Sequence, residues 1–416
     1  MSQPTPSRTP RAAWWLLALL GLIFALFAGD RAILGILKAT LATELGLTNA
    51  GYSLLVTAFM VPYTAMYFFV GGWIDRFGAG RLLTICTIGM SAATVIAGTA
   101  HGLGQLFVAR LLLGVAEAGV VPAITLAIFT WFPSERRAVA YSLANTVQQT
   151  AYILCPPFVA AVTLGLGWRW AFLVPGISGF VIAALWWQGQ RMAGEPPPPE
   201  PEAAAPAAPG FGLLARLRQL WALPSVRMLI LARIVSDPFW FFFQYWQTAF
   251  LQERIGMSLA RVGQLTWIPP LVYMGVALLL STFSDRLVAR GWPAPRARLV
   301  LVLLATALAP AAFALPLVQG EFVALALVTA VWVMCATWLN MSSVFMGSLV
   351  PRHSLASAIA IMSALGGVTS IAFNAVVGSI IDRFGYDVPF YVGACLHPIA
   401  AVMLWLHFRR RDGASG

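Results

Sequence analysis

Asp30 and Arg31 stand side by side inside the apolar run WWLLALLGLIFALFAGDRAILG, Trp14 to Gly35. Such a run is long enough to cross a bilayer as a helix. A charge at the centre of a membrane helix costs about 2.5–3.5 kcal/mol on insertion scales, so two adjacent ones imply a use. Arg110 and Glu117 make a second pair, the only charges between Leu106 and Thr130. Their spacing of seven puts them about 20° from a common helix face and about two turns apart. The chemistry open to these residues is anion binding and proton transfer. Desolvation favours the neutral form of a carboxyl, and a nearby guanidinium favours the ionised form, so a carboxyl held between the two can change protonation as its surroundings change. Arginine stays charged throughout, and its planar fork matches a carboxylate. We therefore expect Arg31 to bind a substrate carboxylate, Asp30 and Glu117 to be the protonatable groups, and Arg110 to alternate as their counter-charge. Neighbouring helical residues point about 100° apart, so one of Asp30 and Arg31 should face a cavity and the other a neighbouring helix. The sequence leaves open which does which.

The elements that must carry these residues are membrane spans. The chain has 416 residues, 60% hydrophobic and only 10% charged, against about 25% charged in a soluble domain, and its mean hydropathy is +0.81. The pattern predicts an all-α polytopic protein with twelve helical spans. The first six are 13–36, 51–73, 82–101, 104–132, 137–165 and 168–189; the second six are 227–252, 262–287, 298–318, 321–349, 354–381 and 386–408. The expected domains are a six-helix bundle over 1–190, a linker over 191–226, and a second six-helix bundle with a basic tail over 227–416. In the linker, the Pro/Ala-rich stretch RMAGEPPPPEPEAAAPAAPG cannot build a core, and GLLARLRQLWAL (212–223) reads as an amphipathic surface helix. The polar first twelve residues and the length of the run that follows read as a first span, not a signal peptide.

Net charge is +11, but the basic residues lie in short loops rather than on one patch, which argues against nucleic acid. With the N-terminus inside, the inner segments hold 18 of the 26 basic residues and the outer loops five: Lys38, Arg169, Arg254, Arg261 and Arg383. That asymmetry places both termini in the cytoplasm. The four cysteines share no metal spacing, and no Walker loop, HExxH or GxSxG motif is present, so no enzyme activity and no cofactor are expected.

The halves repeat weakly. GGWIDRFGAGR (71–81) follows span two and STFSDRLVARG (281–291) follows span eight; GWRWAF opens span six at Gly167 and GYDVPF opens span twelve at Gly385, 218 residues on. Parallel repeats of this kind build transporters. The loop GGWIDRFGAGR resembles the signature loop of the major facilitator superfamily. With the Asp30-Arg31 pair, RLLLGVAEAG in span four, DPFWFFFQYW in span seven and SDRLVARG after span eight, the chain resembles the anion:cation symporter family within it. The resemblance implies proton symport of hexuronates, aldonates or other organic anions. It supports the roles given to Asp30, Arg31, Arg110 and Glu117, and it implies substrate contacts for Tyr63, Gln148 and Asn374. It also implies a cytoplasmic conformational latch of Gly71, Asp75, Arg76 and Arg81, with Asp285 and Arg286 as the counterpart in the second half.

Three positions, at two places in the chain, depart from the family pattern. Phe27 and Ala28 stand where a polar Asn-Tyr pair is common, and Ser348 stands where an aspartate precedes the proline ending span ten. The first removes a hydroxyl and favours an acid with more apolar surface. Arg233 and Asp237, four apart in span seven, read as a structural pair. The aromatics Trp240, Phe243, Tyr245 and Trp246 that follow read as packing. The function expected is import of an organic anion by alternating access, driven by a proton gradient with sodium as the other possible ion, by a monomer in a bacterial cytoplasmic membrane. The rival readings are a drug or metabolite exporter and, from another class, a membrane anion sensor.

Overall fold

A computed structural model describes residues 11–194 and 213–414. Without water to satisfy backbone N–H and C=O groups, an apolar chain in lipid closes its hydrogen bonds within helices. The described residues accordingly form helices and no strands. In the first half these are α1 (Arg11–Ile36), α2 (Lys38–Leu45), α3 (Asn49–Phe77), α4 (Ala79–Gly98), α5 (Leu103–Glu117), α6 (Val120–Trp131), α7 (Ser134–Leu166) and α8 (Trp168–Ala193). In the second they are α9 (Leu213–Ala222), α10 (Pro224–Glu253), α11 (Leu259–Leu265), α12 (Ile268–Ala289), α13 (Ala294–Thr306), α14 (Pro310–Ala314), a single 3-10 turn at Leu315–Leu317, α15 (Glu321–Gly347), α16 (Arg352–Phe384) and α17 (Asp387–Ala414).

These pieces compose the twelve spans. Ten are long and apolar enough to cross a bilayer by themselves, and α2 with α3, bent by 120°, form an eleventh. The twelfth is α10, 30 residues long, which buries Arg233 and Asp237. The sequence reading treats span four as one helix, but it breaks between α5 and α6, at Ala118 and Gly119. Pro122, in the first turn of α6, has no N–H for the Ala118 carbonyl and its ring crowds that carbonyl, which sets the break just after Glu117. The amphipathic helix appears as α9, with Leu220 buried and Arg218 exposed; the Pro/Ala-rich stretch over 195–212 lies outside the described residues.

The chain divides into two compact units: one runs to Leu45 and resumes at Ala58, the other takes Gly46–Thr57 and the chain from Ala207. In the first, α1 packs on α7 and α8, and α4 packs on α5 and α8. In the second, α10 packs on α16 and α17, and α15 on α12 and α13. The second unit also holds the first turn of α3, whose open backbone N–H groups meet an acid. The Asp382 carboxylate accepts from the Ala50 backbone N–H at 3.0 Å and from Asn49 Nδ2 at 2.8 Å.

Deeper in that unit, Arg233 grips Asp237 through two hydrogen bonds, Nε to Oδ1 at 2.5 Å and Nη2 to Oδ2 at 2.8 Å, and its Nη1 donates to Ser342 Oγ at 2.6 Å. Both members of the pair are buried, and Gly366 of α16 gives Asp237 its room, since a Cβ there would collide with Oδ2. Removing one partner of such a pair typically costs about 3–5 kcal/mol, because the other is left charged and alone. Of the aromatics expected to pack, Trp240 and Phe243 contact Trp332, Phe243 also contacts Phe390, Trp246 stacks with Phe242, and Tyr245 is buried.

Candidate functional site

The charges of spans one and four meet inside the first unit. Arg31 Nε donates to Glu117 Oε2 at 2.8 Å. Glu117 is fully buried, and its Oε1 has no hydrogen-bond partner among the described residues. Arg110, also buried, donates from Nη1 to the Asp30 backbone carbonyl at 3.3 Å. Arg110 and Glu117 thus share a face of α5, as their spacing predicts, but they do not close on each other. Two helical turns rise by about 10 Å, too far for one ion pair. Each reaches α1 instead, and the direct partner of Glu117 is Arg31.

Asp30 and Arg31 point to different surroundings, as adjacent helical residues must. Asp30 is buried against helices, lining a cavity of about 10 Å³ with Thr94, Arg110, Leu113 and Phe172. That is room for about one water. Arg31 keeps 11% of its side chain exposed and turns instead to Glu117 and the rings around it. Asp30 still feels Glu117, Arg110 and Arg31 electrostatically, so the four ionisable groups form one cluster.

Around Arg31 the lining is aromatic. Its guanidinium carbon lies 4.1 Å from the centre of the Phe27 ring, 4.4 Å from Tyr63 and 5.0 Å from Phe59. Phe27 precedes Arg31 by one helical turn, and Phe59, Tyr63 and Tyr67 follow one another at four-residue steps on α3, so each set shares a helix face. Phe59 stacks on Tyr63 at 5.4 Å, and the Tyr63 and Tyr67 hydroxyls hydrogen-bond each other at 2.9 Å. Rings over a guanidinium attract its charge and leave the in-plane N–H donors pointing outward.

Close helix approach makes this possible. A Cβ on Gly114 would collide with the Phe59 carbonyl oxygen and sit 2.8 Å from Pro62 Cγ. Gly114→Ala is therefore expected to push α3 off α5 and open the aromatic wall. The expected result is a loss of ligand affinity of about tenfold or more with the protein still inserted, in line with the 1–3 kcal/mol typical of overpacking. A ligand titration beside a detergent melting curve checks it; unchanged affinity would show that the cage is not shaped by this contact.

Of the other expected contacts, Tyr63 belongs to the cage. Gln148 is half-buried on α7, one turn before Tyr152, which lies within electrostatic reach of Arg31, Glu117 and Tyr63. Asn374 lies buried in the second unit, donates from Nδ2 to the Ser370 carbonyl at 3.0 Å, and has no partner at Oδ1 among the described residues. In the loop motifs, Arg76, Arg81, Asp285 and Arg286 are exposed, whereas the side chain of Asp75 and the surroundings of Gly71 lie outside the described set. Gly78 closes the α3–α4 turn at φ +76°, a left-handed value that glycine adopts without strain. Among the described residues no group of three or more His, Cys, Asp or Glu could hold a metal ion. The sequence reading missed Phe59 and Gly114, and it took Phe27 only as a lost hydroxyl; the four-residue aromatic spacing on α3 was the available signal.

Residues 19–346 match the sequence model of the Major Facilitator Superfamily. The chain is 28% identical over 71% of its length to the "Probable galactarate/D-glucarate transporter GarP" of Escherichia coli (strain K12), covering 71% of that protein. It is 24% identical over 94% of its length to the hexuronate transporter of the same organism, covering 93% of it. Among solved structures it resembles a bacterial homolog of the human lysosomal transporter Spinster in an inward-facing, occupied conformation. There the TM-score is 0.78 at 18% identity, over 97% of this chain and 98% of the other.

Proposed function

The chain belongs to the Major Facilitator Superfamily and is a multi-pass membrane transporter; from that premise we propose that it imports an organic anion by proton symport. In this reading the bundles over 1–190 and 227–416 alternate in opening a central site to either side of a bacterial cytoplasmic membrane, with both termini inside. Arg31 takes the substrate carboxylate. Glu117, deprived of its counter-charge, takes a proton, because a buried carboxylate without a partner is costly. Arg110 and Asp30 form the neighbouring station for a second proton, with Arg110 as the counter-charge. Gly71, Asp75, Arg76 and Arg81, with Asp285 and Arg286, act as the cytoplasmic latch.

The single observation that carries the proposal is the Arg31–Glu117 ion pair, part-exposed on the arginine side and fully buried on the acid side. An arginine with an exposed edge can exchange partners; a buried acid that loses its partner must be neutralised. The relatives named for hexuronate and for galactarate/D-glucarate support a carboxylate substrate. The Phe27, Phe59 and Tyr63 rings favour one with an apolar or aromatic body beside the carboxyl. An inside-negative potential opposes anion entry by about 2.3 kcal/mol per charge per 100 mV; one co-transported proton cancels this and a second drives uptake.

Counterflow in proteoliposomes tests the reading. A panel of aromatic monoacids, short carboxylates and hexuronates should include at least one acid that exchanges saturably, with the less hydroxylated acids competing best. A proton gradient without sodium should suffice for accumulation. Saturable binding without exchange, or exchange of neutral and cationic compounds indifferent to carboxylates, would overturn it.

A further inference from the structure

Each of the two units carries an apolar groove, and the two grooves occupy equivalent places in the repeat. In the first unit a groove of about 340 Å³ is lined by Thr84 and Ile88 of α4 and by Phe180, Ala183, Ala184 and Trp187 of α8. In the second a groove of about 520 Å³ is lined by residues of α13 and α14, among them Leu303 and Phe313, and by Pro398, Ala401, Val402 and Trp405 of α17. The α8 residues and the α17 residues correspond one to one at an offset of 218, the same offset that relates Gly167 to Gly385 at the starts of these helices. Each set has the i, i+3, i+4, i+7 spacing of one helix face. The correspondence runs one turn further, to Arg191 and Arg409. The Arg191 guanidinium stacks on Trp187 at 4.7 Å and the Arg409 guanidinium stacks on Trp405 at 5.1 Å. Both arginines are exposed.

We propose that each groove is a binding site for one anionic glycerophospholipid, with an acyl chain along the groove and the phosphate at the stacked arginine. The lining is wholly apolar except for one threonine in each groove, Thr84 and Thr306. Both hydroxyls are engaged within the protein. Thr84 donates to the Gly80 carbonyl; Thr306 donates to the Val302 carbonyl and accepts from Trp338 Nε1. Apart from the indole N–H of Trp187 and of Trp405, the lining side chains offer a water-soluble ligand no free polar group, and a hydrocarbon tail is the trough's chemical complement. At the mouth the chemistry changes to a tryptophan and an arginine, the pair that marks a membrane interface, where indole sits at headgroup depth and guanidinium reaches up to phosphate. The indole face attracts the guanidinium charge and holds it at the mouth, and a guanidinium fork is suited to two phosphate oxygens. In the first unit a second cation stands at the same end: Gly80 at the start of α4 accepts from Trp186 Nε1, bringing the exposed Arg81 beside the last turns of α8. Positive charge at the mouth selects an anionic headgroup over a zwitterionic one.

Native mass spectrometry of the full-length, delipidated protein titrated with phosphatidylglycerol tests this, with phosphatidylcholine of the same acyl chains as the comparison. Two phosphatidylglycerol molecules should bind ahead of the rest, and phosphatidylcholine should show no such step. R191Q and R409Q should each weaken one site by roughly fivefold, from the loss of one interfacial arginine, so that its lipid no longer binds ahead of the rest. Ala184→Phe and Val402→Trp fill the troughs from lipid-exposed positions and leave the arginines intact, and they should remove the same two molecules. Inorganic phosphate should not compete, which separates a lipid from a free anion. Equal binding of both lipids, retention of both tight molecules in the R191Q/R409Q variant, or displacement by phosphate would overturn the proposal and leave only ordinary surrounding lipid.

Discussion

Arg31→Ala is expected to abolish carboxylate binding, raising Kd by at least about a hundredfold in a calorimetric or thermal-shift titration. Two losses add. The charge-assisted hydrogen bonds of a guanidinium to a carboxylate are worth about 1.5–3 kcal/mol each, and about 1.4 kcal/mol is tenfold in affinity. The variant also strands Glu117, whose direct ion-pair partner is Arg31; leaving a buried charge unpaired costs about 3–5 kcal/mol of stability. The double variant Arg31→Ala with Glu117→Gln separates the effects, because it removes the stranded charge. Its melting temperature should recover while binding stays lost. Arg31→Lys should recover little, since an ammonium neither stacks between Phe27 and Tyr63 as a plane nor offers a fork. Wild-type affinity in Arg31→Ala would remove this residue from substrate binding.

Glu117→Gln is expected to uncouple the transporter. The amide keeps the shape of the side chain and can accept from Arg31 Nε, but it carries no charge to be neutralised and no proton to release. Accumulation driven by a proton gradient should fall to background, at least about tenfold below wild type, while exchange down a substrate gradient continues. Accumulation against a gradient at the wild-type level would assign coupling elsewhere, with Asp30 next in line.

Much of the machine is legible in the sequence because lipid makes charge conspicuous. Asp30, Arg31, Arg110 and Glu117 stand out in apolar runs, and all four converge in one unit. The twelve spans follow from hydropathy and length, and the 218-residue offset that places the two grooves in register is written in the openings of spans six and twelve. What escapes sequence reasoning is partner choice. Helical periodicity assigns Arg110 and Glu117 to one face but cannot say that α1 lies opposite, so the swap of partners to Arg31 needs a fold. Aromatic residues in membrane helices are too common to announce a role, so nothing singles out Phe59 until the Arg31 guanidinium is seen over its ring. Phe27 reads as a loss, a missing polar group, and proves to be part of the wall. Gly119 and Pro122 mark the break after Glu117, but the apolar residues that run on past them give the sequence the look of one continuous span.

The central claim is that the substrate carboxylate and Glu117 compete for Arg31, so that binding one acid makes the other take up a proton. Proton uptake measured directly on adding the substrate acid, as its salt, to purified protein in weakly buffered solution tests this with no membrane or gradient involved. The account predicts about one proton taken up per substrate bound in the wild type and none in Glu117→Gln. Binding with no proton uptake in the wild type, or with the same uptake in the variant, would contradict it.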